Sequence, residues 1–397
     1  MRICGSLVAH VPGGVGGFFP GSQGSRLERE MSLTERLYAR RSRTTVGAIA
    51  ALLLLGGVGT NAEAAWTVTN LNPAGSTSSI AYGASGAQQA GWQRVGDTQH
   101  ASLWSGTSAS WVDLHPSGTI WSQADGVGDG QQVGYTIVTV GTHHASLWSG
   151  TAASWVDLNP AGATRSYAYG AGGGQQVGEA RAGGVFRAAL WNGTAASWID
   201  LHPAGATTSR AYSVTGGQQV GYADYGGVLR ASRWSGTPAS RVDLHPEGAT
   251  SSSALSTSGA QQAGYALVGG MTHASLWSGT AASWIDLHPM GATNSFAYGT
   301  YLGLQVGSVE VSGVNRASLW NGTAASWIDL SEFLPDGFTS SFARSISSDG
   351  SFLYIAGYGY NTLGTGYEAL LWTRPIPAPG AAGLLALSGL VAARRRR

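Results

Sequence analysis

The sequence predicts an all-β protein, a seven-bladed β-propeller of four-stranded antiparallel blades repeating every 43 residues or so. Three observations predict it. The leucine of a Trp-Val-Asp-Leu phrase recurs as Leu71, Leu114, Leu158, Leu201, Leu244, Leu287 and Leu330, always 43 or 44 residues apart. The tryptophan of an Ala-Ser-Leu-Trp phrase recurs in step as Trp104, Trp148, Trp191, Trp234, Trp277, Trp320 and Trp372. The ends of this repeating body are complementary. It opens at Trp66-Thr67-Val68-Thr69-Asn70-Leu71, a strand that elsewhere follows the Ala-Ser-Leu-Trp hairpin, and it ends at Ala369-Leu370-Leu371-Trp372, the strand that precedes it. Pairing them closes the ring and removes the exposed edges. A solenoid would need dedicated caps instead.

Each unit supplies four strands. Trp111 to Leu114 alternates as a half-buried strand does, and His115-Pro116 with a Gly/Ser/Thr turn stops it. A Ser-x-Ala-Tyr-Gly strand follows, as at residues 166–170, then a glycine-rich turn and a Gln-Gln-Val-Gly strand, as at 175–178. Ala188-Ala189-Leu190-Trp191 is the fourth, and Asn192-Gly193 leads the short loop into the next unit. The seventh unit carries a longer loop.

The two flanks read as addresses. Residues 1–30 are expected to precede the true start at Met31 and to be disordered. Residues 31–64 have the order of a signal peptide: basic Arg36 to Arg43, apolar Val46 to Val58, and a small-x-small site ending at Ala64. The body then spans 65–373. In 374–397, Pro375 to Gly380, with Pro377 and Pro379, precede an apolar stretch and a terminal cluster from Arg394. A short apolar helix with a basic end halts in a membrane. This tail resembles the PEP-CTERM class of bacterial sorting signals, with Ala378 where that class has Glu. The resemblance implies transient membrane anchoring and processing by an exosortase-like protease; an ordinary tail anchor is the alternative.

Composition narrows the chemistry. All 22 basic residues are arginines, so a Walker-type phosphate loop, a Schiff-base lysine and a lysine-rich nucleic-acid face are excluded. Cys4 is the single cysteine, which rules out an internal disulfide framework. Between 65 and 372 there are 10 arginines against 17 acids, a net-negative body unsuited to nucleic acid. Fifteen tryptophans and 43% hydrophobic residues exclude disorder.

The phrases Gly-Gln-Gln-Val-Gly-Tyr, His/Arg-Ala-Ser-Leu-Trp and Asp-Leu resemble the HAF-type extracellular repeat. His100, His144 and His273 match its histidine, whereas Arg187, Arg230, Arg316 and Glu368 depart from it. The resemblance implies an exported, propeller-like repeat protein and carries no settled activity.

Residues repeated in every unit point to packing. The tryptophans are expected between blades, and Asp113, Asp157, Asp200, Asp243, Asp286 and Asp329 are expected to accept turn amide bonds. His115, His202, His245 and His288 alternate with Asn and Ser, so they read as turn residues and not as a metal centre, since on a ring they stand whole blades apart. Arg241, which breaks the tryptophan series, is expected to pair with an acid such as Asp243. The basic positions before Ala-Ser-Leu-Trp read as solvent-facing. Trp92, Tyr135, Tyr222, Tyr265 and Tyr358, after the glycine of the third strand, are the binding candidates: facing one end of the ring they would form an aromatic platform for sugars, and otherwise they pack under loops. No catalytic motif is found, and neither a metal nor another cofactor is expected. The irregular Trp121, Asp125, Asp129, Glu179, Glu310 and Glu368 are the residues an enzyme would use. The function expected is a non-catalytic binding or structural module of the cell surface or extracellular matrix, with carbohydrate or an envelope protein as partner. A glycan-cleaving propeller hydrolase or lyase is the alternative.

Overall fold

A computed structural model describes residues 65–364 and 366–376. Ala64, Pro377, Pro379 and Arg394, and with them both address signals, lie outside the described residues. Within these residues, 28 strands form seven four-stranded antiparallel sheets, joined by turns and 3-10 segments without an α-helix. The first blade runs outward through Ser79–Ser85, Gln88–Val95, Thr98–Trp104 and the short Val112–Asp113. Its innermost strand packs on the innermost strands of both neighbours, Trp121–Gly128 and Phe338–Ser348, so the sheets stand in a closed ring.

Blade and sequence unit are out of phase. The Trp-Val-Asp strand that opens each unit becomes the outermost strand of the preceding blade, because its short loop from Ala-Ser-Leu-Trp allows only a hairpin. The opening strand Thr67–Asn70 therefore has no preceding blade and pairs with Gly366–Pro375, in the register Thr67↔Thr373 to Asn70↔Leu370. This is the ring closure that the terminal phrases predict. The extra length of the last unit enters a 3-10 turn at Leu330–Phe333 and longer strands, such as the 11-residue Phe338–Ser348.

Every innermost strand carries a β-bulge one residue after its alanine. In the third blade Ala168 pairs with Gly178 and Gly170 with Val177, leaving Tyr169 unopposed. The bulge drives the two backbones together, and a Cβ at Gly178 would overlap the Tyr167 carbonyl oxygen. That is why each Gln-Gln-Val-Gly strand needs its glycine.

The core is divided among the blade interfaces. The seven Ala-Ser-Leu-Trp tryptophans are completely buried. Each enters the interface with the blade before it, as Trp148 does among Ala90, Leu103, Leu114 and Val127. Truncating such a side chain costs about 3–5 kcal/mol. In the other tryptophan series Trp111, Trp155, Trp284 and Trp327 are half-buried, and their indole N–H donates to the serine of Ala-Ser-Leu-Trp, as from Trp111 to Ser102 at 3.0 Å and from Trp155 to Ser146 at 2.9 Å. Arg241 keeps this bond with its Nε, at 2.8 Å from Ser232 Oγ, and its Nη2 lies 3.3 Å from Asp243.

The repeated polar residues are spent within and between blades. Asp113 Oδ1 accepts from the His115 amide at 2.8 Å, and the bond recurs at Asp157, Asp200, Asp243, Asp286 and Asp329. His115 Nδ1 lies 2.8 Å from Ser122 Oγ, which accepts from the Ala101 amide of the blade before. Asn159 makes the same link through Ser166, which explains the His/Asn interchange. Burial lowers the pKa of His115, His202, His245 and His288, which keeps these bridging rings neutral near pH 7.

The basic residue before Ala-Ser-Leu-Trp does not simply face solvent. It binds the aspartate of the outermost strand: His100 Nδ1 to Asp113 at 2.8 Å, Arg187 to Asp200 at 2.8 Å, and Arg316 to Asp329 at 2.7 Å. In the closing blade both partners change, and Asn70 Nδ2 donates to Glu368 Oε2 at 2.6 Å.

Candidate functional site

With the repeated side chains committed to structure, the residues that differ from blade to blade carry the site. The bulge places one residue per blade at the central channel: Tyr82, Asp125, Tyr169, Tyr212, Leu255, Tyr298 and Arg344. All seven are half-buried and line a cavity of about 1020 Å³. Its mouth is formed by the small residues of the inner hairpin turns, such as Gly83 to Gly86 and Gly170 to Gly173. The size is at the upper end for a small-ligand pocket.

A second tier lies one step along each inner strand. Cross-strand pairing there brings together Ile80 and Trp92, Gln123 and Tyr135, Arg210 and Tyr222, Ser253 and Tyr265, and Phe342 and Tyr358. The five aromatic candidates thus occupy one tier of the ring, outside the lining of the cavity. They pack against inner-strand neighbours: Trp92 Nε1 donates to Tyr82 OH at 3.5 Å, and Tyr135 lies 5.3 Å from Tyr167. Tyr222 is 6.1 Å from Tyr212, Tyr265 5.4 Å from Phe296, and Tyr358 4.9 Å from Phe342. Burial raises the hydroxyls of Tyr222, Tyr265 and Tyr358 to about 12.

Besides Asp129 on the cavity lining, charge enters at three points. Glu179, buried, receives a bidentate pair from Arg210, Nε to Oε2 at 2.9 Å and Nη2 to Oε1 at 2.7 Å, and accepts from Tyr169 OH at 2.9 Å. Arg210 Nη1 also donates to Tyr212 OH at 3.2 Å. Burial opposes the Arg210 charge, but Tyr169, Tyr212 and Glu179 more than offset it and raise its pKa. Asp125 accepts from Gln123 Nε2 on Oδ1 at 2.6 Å, while its Oδ2 is buried without a protein partner. Burial pushes this carboxyl up to about 7, against the pull of Gln123 and Arg344. Arg344 lies over the Tyr298 ring at 4.1 Å and the Tyr82 ring at 5.4 Å.

Of the irregular acids, Asp125 and Asp129 line the cavity and Glu179 stands behind it. Asp129 accepts from the Gly173 amide at 2.6 Å, Glu310 from Asn294 at 2.7 Å, and Glu368 from Asn70, so these three fasten turns and strands. Trp121 is an exposed residue at the start of its strand. The bulge tyrosines and Arg344 were missed as site residues in the sequence. Their signal was the tyrosine of Ser-x-Ala-Tyr-Gly, replaced by Asp, Leu and Arg in three units.

No family model and no curated protein matches the chain. Among solved structures it is similar to a puromycin hydrolase, at 12% identity over 73% of this chain and 53% of that one, with a TM-score of 0.50. An acylaminoacyl peptidase of Pyrococcus horikoshii aligns at 10% identity over 78% and 54%, TM-score 0.47. The β-propeller domain of the Trilobed protease from Pyrococcus furiosus aligns at 8% over 75% and 95%, TM-score 0.46. The chain spans about half the length of the two full enzymes. The likeness to the puromycin hydrolase is one of fold.

Proposed function

We propose that this protein is a non-catalytic binding module of the bacterial cell surface or extracellular matrix, with carbohydrate as its ligand. In this reading residues 31–64 export it, and the 374–397 tail holds it in the membrane until an exosortase-like protease acts. The observation that carries the reading is the ring of four bulge tyrosines, Tyr82, Tyr169, Tyr212 and Tyr298, around an open cavity. Tyrosine offers a flat apolar face for a sugar ring and a hydroxyl for its polar rim. The tier holding Trp92, Tyr135, Tyr222, Tyr265 and Tyr358 supports that ring from below and, in this proposal, continues the stacking surface.

The glycan-cleaving alternative has one observation in its favour: a carboxyl at about 7 is suited to a general acid. Both readings meet in one experiment. The purified chain is incubated with envelope polysaccharides, and retention and new reducing ends are scored together. Retention without new ends is expected. New ends that disappear in Asp125→Asn would replace the binding module by an enzyme.

A further inference from the structure

Arg344 is the channel residue whose hydrogen-bond donors the protein leaves unused. Its guanidinium is held by the tyrosines of the two adjacent blades, Tyr298 and Tyr82. Among the described residues it makes no hydrogen bond and no ion pair, whereas Arg210 in the tier below is closed onto Glu179 through two bonds. Clamping by two rings fixes the plane of the guanidinium and leaves its edge for an acceptor. A planar fork of N–H donors fits a carboxylate in a two-pronged bond better than any neutral group. Asp125, also in the channel, adds a buried Oδ2 with no protein partner, suited to a ligand hydroxyl.

We propose that the channel recognises an acidic sugar, a uronate-bearing oligosaccharide, with Arg344 holding its carboxylate and the flanking tyrosine faces holding its ring. This rests on the carbohydrate-binding reading and names the chemistry of its ligand. The net-negative body supplies no long-range attraction for such a ligand, so recognition is local and depends on this one arginine. Near pH 6, below the Asp125 value of about 7, that carboxyl is mostly protonated and does not repel the uronate. Tyr82, Tyr135 and Tyr169, the phenols around Asp125, are raised by burial and stay neutral there.

The test compares the full chain's affinity for trigalacturonate and for its neutral methyl ester, by calorimetry at about pH 6. The acid form is expected to bind at least about tenfold more tightly, and Arg344→Gln to erase that preference with an unchanged melting temperature. Arg344→Lys, which keeps the charge and loses the fork, is expected to retain only part of it and guards against a misfolded Gln variant. Equal affinity for the two sugars, or a preference that survives Arg344→Gln, overturns the inference and leaves the carbohydrate reading standing. Failure of both sugars to bind overturns both.

Discussion

Asp125 shows how a single substitution in a repeat changes the physics of a channel. Where four blades bring tyrosine and a fifth leucine, the second brings a carboxyl that burial pushes up to about 7. An unfolded aspartate titrates near 4. Between about pH 4 and 7 the folded chain therefore holds a proton that the unfolded chain has lost. Stability from this group is full below that window, declines as pH rises through it, and levels off above. Asp125→Asn is expected to flatten the fall in melting temperature across the window and to melt higher than the native chain above pH 7. Parallel melting profiles would contradict this. The residue scale is also where the sequence was hardest to read. Trp92 and its four companions attract notice because they recur, yet the channel is lined by the neighbouring strand, at a position whose identity varies. Nothing in the period of 43 marks that position as a bulge, because the extra residue recurs in every unit and leaves the period unchanged, and the glycine that the close approach requires is one among many.

At the scale of the strand, the outermost hairpin carries a side-chain bond from an indole or guanidinium to the serine of Ala-Ser-Leu-Trp. The third blade lacks it. Ala189 replaces the serine, and the Trp198 indole N–H is buried without a partner. Ala189→Ser is expected to restore the bond and stabilise the protein by about 0.5–1.5 kcal/mol, read as a shift in the denaturation midpoint. No gain would mean that the bond does not contribute to holding this hairpin. The strands themselves were legible from alternation and turn phrases. Their grouping was not, because a unit cut at the Trp-Val-Asp phrase gives the right number of strands in the wrong blade. Only pairing across the sheet assigns that short strand. The same pairing gives the basic residue before Ala-Ser-Leu-Trp its aspartate, 13 residues away across the hairpin in His100 and Asp113.

For the whole molecule, seven units and complementary ends were enough to give a closed ring, since an antiparallel edge at each end leaves one sensible partner. The closing pair even has its own chemistry, Asn70 with Glu368 in place of aspartate with a base. Removing residues 65–71 is expected to bare the edge of Gly366–Pro375, lower the melting temperature and cause association that grows with concentration in light scattering. A truncated chain that stays monomeric and melts as before would show that closure adds nothing.

Closure also sets a clock. Thr67 is 306 residues ahead of Thr373, its partner in the last strand. At about 5–20 residues per second, synthesis delivers that partner roughly 15–60 s later. Six blades can pair within themselves as they emerge, but the seventh waits for the oldest strand and the newest to meet. Throughout those tens of seconds the chain is an open strip, and a cellular machine that must thread it has that long before the ring locks.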